Sequence, residues 1–116
     1  GEVGHLVHVT EPQAAQMLAD DVATRALWLS GINANLPHPL NQHQFDGVLS
    51  WAYNVGLTAA ENSTLMKMLR AGNFAGAANQ FDRWIYVTQG GKKVAIKGLI
   101  DRRRMDRAIF ERGVYA

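Results

Sequence analysis

Capping residues and glycines divide most of this 116-residue chain into short segments. Asn41, Ser63 and Asn73 each stand just before a run whose apolar residues recur at helical spacing. A polar side chain there can accept a hydrogen bond from a backbone N–H group of the first helical turn. Gly72 and Gly113 follow such runs, and glycine readily adopts the left-handed conformation that ends many helices. The pattern predicts a mainly α-helical chain with short connections.

The same boundaries predict the extent of each helix. The first is expected over residues 11–29, with a capping box between Thr10 and Gln13 and a stop at Ser30-Gly31. The others are expected from Asn41 to Gly56, from Ser63 to Gly72, from Asn73 to Trp84, and over residues 99–111, ending near Gly113. Residues 87–98, with Gly90-Gly91-Lys92-Lys93, are predicted to be a polar loop, and residues 3–9 are the one candidate strand.

Composition excludes several classes of protein. The chain has no cysteine, which excludes disulfides, zinc–thiolate sites and a cysteine nucleophile. With 47% hydrophobic and 19% charged residues it is too apolar for an intrinsically disordered chain. It contains no apolar run long enough to cross a membrane. His5 and His8 are expected to point to opposite faces of an extended segment. We therefore expect no metal and no cofactor.

Basic charge is concentrated near the C-terminus. Residues 1–80 carry three Lys or Arg against six acidic residues, whereas residues 81–116 carry nine against four. Such an end favours an anionic partner, but a solvated, salt-bridged helix explains it equally well. In the latter case two of Arg102, Arg103 and Arg104 face solvent and one pairs with Asp101 or Asp106. Nothing in the segment is typical of a DNA-recognition helix, so no nucleic-acid partner is expected.

The acidic residues do not by themselves indicate a catalytic pair. Asp20 and Asp21 are adjacent on a helix, so their side chains diverge by about 100° around its axis. Glu2 has no assignable partner. The residues alone therefore describe a helical domain with a basic end.

Several motifs, in chain order, resemble the phage-type lysozymes, or endolysins. Pro39–Asp46 (PLNQHQFD) followed by Ser50–Gly56 (SWAYNVG) resembles the family's P-L-x-Q-x-Q-[FY]-D-A-L helix and its [FY]-N-[VI]-G turn. Gly47 and Val48 stand where the family usually has alanine and leucine, so a small residue replaces a small one and an apolar residue replaces an apolar one. Four further segments are similar to motifs of the family. Residues 9–21 resemble its I-T-x-x-Q-A…L-x-x-D pattern, and residues 63–72 resemble its S-T-L helix. Residues 77–84 resemble A-A-x-x-F-x-R-W, and residues 98–110 resemble the closing G-L-x-x-R-R pattern. The resemblance covers nearly the whole of residues 9–112.

The resemblance implies a lysozyme-like helical lobe of about five or more helices, with at most a short strand remnant near the N-terminus. Residues 1–9 would be the remnant of an N-terminal hairpin lobe, and residues 10–116 the helical domain. The substrate cleft of the family lies between the two lobes.

The implied activity is cleavage of the β-1,4 bond between N-acetylmuramic acid and N-acetylglucosamine, with inversion, leading to host cell lysis. Peptidoglycan would be the partner and no cofactor is needed. The protein would be a phage-encoded monomer that moves from the host cytoplasm to the periplasm and cell wall, with a holin-like protein as the family's means of exit. The alternative is a non-catalytic lysozyme-like module that binds cell wall or a protein.

The resemblance also assigns site residues. Val3-Gly4-His5 matches the end of the family's T-I-G-x-G-H segment, so the catalytic Glu, Asp and Thr positions precede residue 1, and we expect these 116 residues to be inactive alone. The chain is then either a truncated lysozyme or a degenerate relative that cannot cleave, and a third possibility is that Glu2 has been recruited as the acid. Tyr53 and Asn54 match the turn that lines the cleft, although a core aromatic and a helix cap are alternatives.

Two further roles follow from the resemblance. His5 is expected to form a structural ion pair with Asp21, the alternative being a solvent-exposed histidine. Arg83 and Trp84 are expected to brace the helical lobe rather than to touch sugar.

Overall fold

The computed structural model describes the backbone of residues 11–115 and the side chains of residues 22–115. Within this range the elements are helices α1 (Glu11–Asn33), α2 (Gln42–Val55), α3 (Leu57–Glu61), α4 (Thr64–Arg70) and α5 (Phe74–Gln80), a 3₁₀ turn (Phe81–Arg83), strands β1 (Tyr86–Gln89) and β2 (Lys92–Ala95), and helix α6 (Lys97–Arg112). The predicted mainly α-helical architecture is confirmed. The expected hairpin remnant at residues 1–9 and the Thr10 cap lie outside the described residues.

The three capping residues act as predicted. Asn41 accepts a hydrogen bond from the Gln44 backbone N–H, and its own N–H donates to Gln44 Oε1, both at 2.9 Å. Ser63 and Asn73 each accept a hydrogen bond from the backbone N–H three residues on, at 3.0 and 2.8 Å. Gly113 ends α6 with φ of 67°. These local signals therefore fix where α2, α4 and α5 begin and where α6 ends.

The first helix is longer than predicted. Instead of stopping at Ser30-Gly31 it continues to Asn33. Leu29 is buried and Ile32, one turn further on, packs against the same core. A glycine inside a helix costs only about 1 kcal/mol relative to alanine, so packing of the residues on either side outweighs it.

A β-hairpin replaces the predicted polar loop at residues 87–98. Strands β1 and β2 pair antiparallel, with Val87 opposite Val94 and Thr88 opposite Lys93. Gly90 and Gly91 both have positive φ, 56° and 79°, as a tight two-residue hairpin turn requires. The prediction was wrong because the lysines and glycines suggested a solvated loop, whereas the two glycines form the turn that brings two short strands together.

The core is built around Trp51, which is fully buried on α2. Its ring meets Phe81 and Trp84 edge-on, with centroids 6.2 and 5.5 Å away. Helix α6 lies along α2 and contributes Phe110 to the same cluster. None of the helices in the described ranges is both long and apolar enough to cross a membrane.

The contact between α2 and α6 depends on Gly47. A Cβ atom built there would lie 2.8 Å from the backbone oxygen of Asp106 and 2.8 Å from Phe110. The two helices therefore approach more closely at this point than any side chain permits. Gly47 is consequently more than a neutral replacement for the alanine usual in the family.

Candidate functional site

Tyr53 lies at an open cavity near the C-terminal end of α2, called here the Tyr53 cavity. Its volume is about 350 Å³. It is lined by Val22, Asp46, Leu49, Ser50, Tyr53, Arg102, Ile109 and Tyr115. These residues come from α1, α2, α6 and the C-terminal segment, so the packing of α6 on α2 creates the cavity.

The Tyr53 ring is held from one side by a cation. The guanidinium carbon of Arg25, on α1, lies 5.1 Å from the ring centroid, which is within range of a cation–π interaction. The tyrosine remains 36% exposed. The structure therefore places Tyr53 at the surface, as a cleft residue would be, and not in the core.

Asn54 follows Tyr53 and is fixed by a buried arginine. Arg103 Nη2 donates to Asn54 Oδ1 at 2.8 Å. Arg103 is only 1% exposed, whereas Asn54 is at the surface. Since the amide oxygen is occupied, the Nδ2 group must point away from Arg103, and among the described residues it donates to none. Asn54 lies inside α2, which is capped by Gly56, so it is not the helix cap.

Arg103 belongs to a polar network between α2 and α6. Its Nε atom lies 3.1 Å from Asp106 Oδ2, and Ser50 Oγ donates to Asp106 Oδ1 at 2.6 Å. Burial raises the pKa of Asp106, although the hydrogen bond from Ser50 and the charge of Arg103 oppose the shift. Burial likewise lowers the pKa of Arg103. The network links the cavity wall at Ser50 to the amide of Asn54.

The arginine run divides as the solvated-helix interpretation predicts. Arg103 pairs with Asp106, whereas Arg102 and Arg104 are exposed. Arg102 in addition lines the Tyr53 cavity, a position that sequence reasoning missed. The helical spacing of Arg102, Asp106 and Ile109 along α6 is the signal that could have shown it.

Tyr115 and Asp46 close one side of the same cavity. The Tyr115 hydroxyl donates to Asp46 Oδ2 at 2.5 Å, and this bond raises the pKa of Tyr115. Asp46 also accepts from Gln42 Nε2 at 2.8 Å. Sequence reasoning missed both residues, because Tyr115 meets Asp46 only after α6 has folded back along α2.

Other predicted site residues lie elsewhere. His5 and the side chain of Asp21 are outside the described residues. Trp84 packs against Trp51 and so braces the core as expected, while Arg83 is exposed. Among the side chains the structure describes, no group of three or more His, Asp or Glu residues could hold a metal ion.

Comparison with known proteins places these features in a family. The Phage lysozyme family model matches residues 1–106. The endolysin of Acyrthosiphon pisum secondary endosymbiont phage 1 is 37% identical over 103 residues, which cover 89% of this chain and 68% of that protein. The endolysin of Bacillus phage B103 is 40% identical over 117 residues, covering 97% of this chain but 42% of the relative. The chain thus spans only part of the length of these relatives.

Solved structures of similar proteins point to the same family. An endolysin from Escherichia coli O157:H7 phage FAHEc1 matches with a TM-score of 0.78 and 38% identity, over 95% of this chain and 68% of that one. The muramidase domain of SpmX from Asticaccaulis excentricus matches with a TM-score of 0.79 and 26% identity, over 90% of this chain and 69% of that one. The chain belongs to the phage lysozyme family.

Proposed function

We propose that this helical domain forms one wall of the cleft of an enzyme that cleaves the β-1,4 bond between N-acetylmuramic acid and N-acetylglucosamine in peptidoglycan. The observation that carries the proposal is the pair Tyr53 and Asn54: each is held by an arginine, and Tyr53 lines a cavity of about 350 Å³. Names of relatives, endolysin and muramidase, support the same activity.

The two side chains suit an N-acetylated glycan. An exposed tyrosine offers an apolar ring face and a polar edge, the combination with which proteins bind sugar rings. The Asn54 amide offers N–H donors in an orientation set by Arg103, and an N-acetyl carbonyl oxygen is a matching acceptor. Because both groups are fixed before the glycan arrives, little conformational entropy is lost on binding.

In this proposal the described residues bind and orient the glycan. Inverting hydrolysis requires a general acid at the leaving oxygen and a second group that positions water on the opposite face of the sugar. The family's positions for these groups lie outside the described residues. The Arg103–Asp106–Ser50 network acts through Asn54 and the α2–α6 contact, and takes no part in the proton transfers.

The proposal also covers the origin and location of the protein, its oligomeric state and one structural ion pair. The protein is phage-encoded, is made in the host cytoplasm, acts as a monomer and reaches the periplasm and cell wall during lysis. His5 pairs with Asp21 and thereby supports the junction before α1. An NMR titration tests that pair: an imidazole beside a carboxylate keeps its proton to a higher pH than a model-peptide histidine, and a midpoint at or below about 6.5 would contradict it.

The binding test uses the 116-residue chain and glycan strands freed of stem peptides, followed by NMR. Asn54→Asp keeps the oxygen that accepts from Arg103 but removes the N–H donors, so we expect about tenfold weaker binding with unchanged stability. Asn79→Asp is the matched control, because Asn79 Oδ1 accepts from Arg107 Nη2 at 2.7 Å on another face of the domain. Equal binding by both variants would contradict the proposal.

A turbidity assay on outer-membrane-permeabilised Gram-negative cells tests the catalytic side. We expect the 116 residues alone to bind wall without clearing the suspension. Clearing would show that a catalytic acid lies within them and would overturn the assignment of the catalytic positions.

A further inference from the structure

A separate cavity lies between the C-terminal end of α1 and the end of α4, and is called here the Trp28–Arg70 cavity. Its volume is about 520 Å³. It is lined by Trp28, Gly31, Ile32, Asn35, Leu36 and Arg70. None of these residues lines the Tyr53 cavity. The domain therefore has a second concave surface, built from different elements.

The indole of Trp28 is held in place by a carboxylate. Its Nε1 donates a hydrogen bond to Glu61 Oε1 at 2.8 Å. Part of the ring packs against the core, and the half-buried remainder lines the cavity. Because the N–H group is already bonded, what the indole offers a ligand is apolar ring surface in a fixed orientation.

The same carboxylate balances the charge of Arg70. Arg70 Nη2 donates to Glu61 Oε2 at 2.5 Å. Among the residues that the structure describes, the remaining N–H groups of Arg70 have no hydrogen-bond partner, and a guanidinium carries five such groups. A cation that is already paired but keeps spare donors favours a neutral ligand with acceptor oxygens over an anion.

Gly31 leaves open space on the helix surface in this cavity. Glycine is less favourable than alanine inside a helix. Two common reasons for a glycine do not apply here, because its φ is not positive and nothing lies within 4 Å of a Cβ atom built there. The remaining reason is that a glycine lets a ligand approach the backbone closely. The space that a side chain would fill at this position lies within the cavity.

Asn35 adds an acceptor beside that open space. Its Nδ2 group donates to the Gly31 carbonyl oxygen at 3.1 Å, which fixes the amide. Among the described residues its Oδ1 atom accepts no hydrogen bond, so it can accept one from a ligand hydroxyl.

We propose that the Trp28–Arg70 cavity is a second glycan-binding site, which holds an N-acetylated sugar of the peptidoglycan strand. The inference rests on the proposed function for the class of ligand but uses a separate set of residues. One face of a sugar ring is apolar and packs on the indole, close to the backbone at Gly31. Hydroxyl and N-acetyl groups at the ring edge meet Asn35 Oδ1 and the spare N–H groups of Arg70. The volume lies within the range of about 300–1,000 Å³ that is typical of small-molecule sites.

The lining favours a sugar over other occupants. A stem-peptide carboxylate needs an unbalanced cation, whereas Arg70 is paired with Glu61. An apolar helix of a partner protein would cover Asn35 Oδ1 and the spare donors of Arg70 without bonding them, which is unfavourable. With two glycan sites, the domain can stay attached to the wall while the Tyr53 cavity exchanges one strand for another.

The first test uses the 116-residue chain and a peptide-free trimer of N-acetylglucosamine, and follows the Trp28 indole N–H resonance by NMR. Gly31→Ala places a methyl group where the sugar lies, so we expect about tenfold weaker binding at this resonance together with a higher unfolding temperature. Gly98→Ala is the matched control, because Gly98 is also helical with nothing within 4 Å of its Cβ and does not line the cavity. Equal binding by the two variants would overturn the inference.

A second pair of variants tests the donors. Arg70→Gln should weaken binding of the trimer about fivefold, since it removes charge-assisted donors to the ligand. Lys67→Gln removes the same charge from an exposed position one turn earlier on α4 and should bind as the parent chain does. Equal weakening by both would reduce the effect to general charge and contradict a glycan site at Arg70.

The two glycan sites are told apart by where the resonances shift. Asn54→Asp should leave the response of Trp28 unchanged, and Gly31→Ala should leave the response of residues around Tyr53 unchanged. Shifts around Tyr53 without shifts at Trp28 would overturn this inference and leave the proposed function intact. A stem tripeptide that binds at Trp28 as tightly as the trimer would likewise overturn the assignment to a sugar.

Discussion

Two arginines one turn apart on α6 show how differently the same side chain can contribute. Arg103 is buried and contacts Asn54 and Asp106, and burial lowers its pKa. Arg107 is partly exposed and has more partners, and its bonds to Glu111 and Asp82 raise its pKa. Those partners are Asp82, Asn79 and Glu111. If stability followed the number of hydrogen bonds, Arg107 would contribute more. If it follows how completely the ion pair is removed from water, Arg103 contributes more.

The largest effect is expected at Arg103. Arg103→Met leaves Asp106 buried without its counter-ion, and breaking such a pair costs about 3–5 kcal/mol. Arg107→Met removes more hydrogen bonds but leaves partners that water can solvate, so we expect a loss of about 1 kcal/mol or less. Urea unfolding at pH 7 measures both. A smaller loss for Arg103→Met than for Arg107→Met would reverse the comparison.

A double variant separates the contribution of the Arg103–Asp106 ion pair from that of the hydrogen bonds to Asn54 and Ser50. Replacing both charges, with Arg103→Met and Asp106→Leu together, should recover most of the stability lost by Arg103→Met alone, because no uncompensated charge remains. No recovery would mean that the bonds to Asn54 and Ser50, and not the ion pair, hold α6 on α2.

The next largest effect is expected at Gly47, where α2 and α6 approach each other. Gly47→Ala places a methyl group 2.8 Å from backbone atoms of α6, and overpacking of this kind costs about 1–3 kcal/mol. Gly31→Ala, on α1, is the control: nothing lies within 4 Å of its Cβ, so the reduced freedom of the unfolded chain should stabilise the protein by about 0.4–1 kcal/mol. Thermal unfolding of the two variants should therefore shift in opposite directions.

The sequence revealed the features that depend on neighbouring residues. Caps at Asn41 and Ser63 and the stop at Gly113 are local, and so was the inference that one arginine of the run pairs with Asp101 or Asp106. What escaped prediction depends on distant parts of the chain. Ser50 meets Asp106 across 56 positions, and Gly47 looked interchangeable with alanine because only the opposing helix shows how little space it has.

The pH dependence of stability should report the buried carboxylate. The pKa of Asp106 is raised in the folded state, so over the range between the unfolded value, about 3.9, and the folded value the native protein binds more protons than the unfolded chain. Its contribution is fully present below the unfolded pKa and is lost as the pH rises through the folded pKa. The stability of the parent chain relative to Asp106→Asn should thus decrease from pH 4 to pH 7. A flat or rising difference would contradict the raised pKa.

The smallest effect, of opposite sign, is expected from the exposed Glu61. Hydrogen bonds from Arg70 Nη2 at 2.5 Å and from Trp28 Nε1 at 2.8 Å lower its pKa. Its contribution is therefore present above the unfolded pKa and is lost as the pH falls through the lowered folded value. The Glu61 side chain is 42% exposed, so water screens the pair and we expect a contribution to stability of at most about 1 kcal/mol. Relative to Glu61→Gln, the parent chain should lose stability from pH 5 to pH 2.5, and added salt should shrink that difference while leaving the slope from the buried Asp106 nearly unchanged.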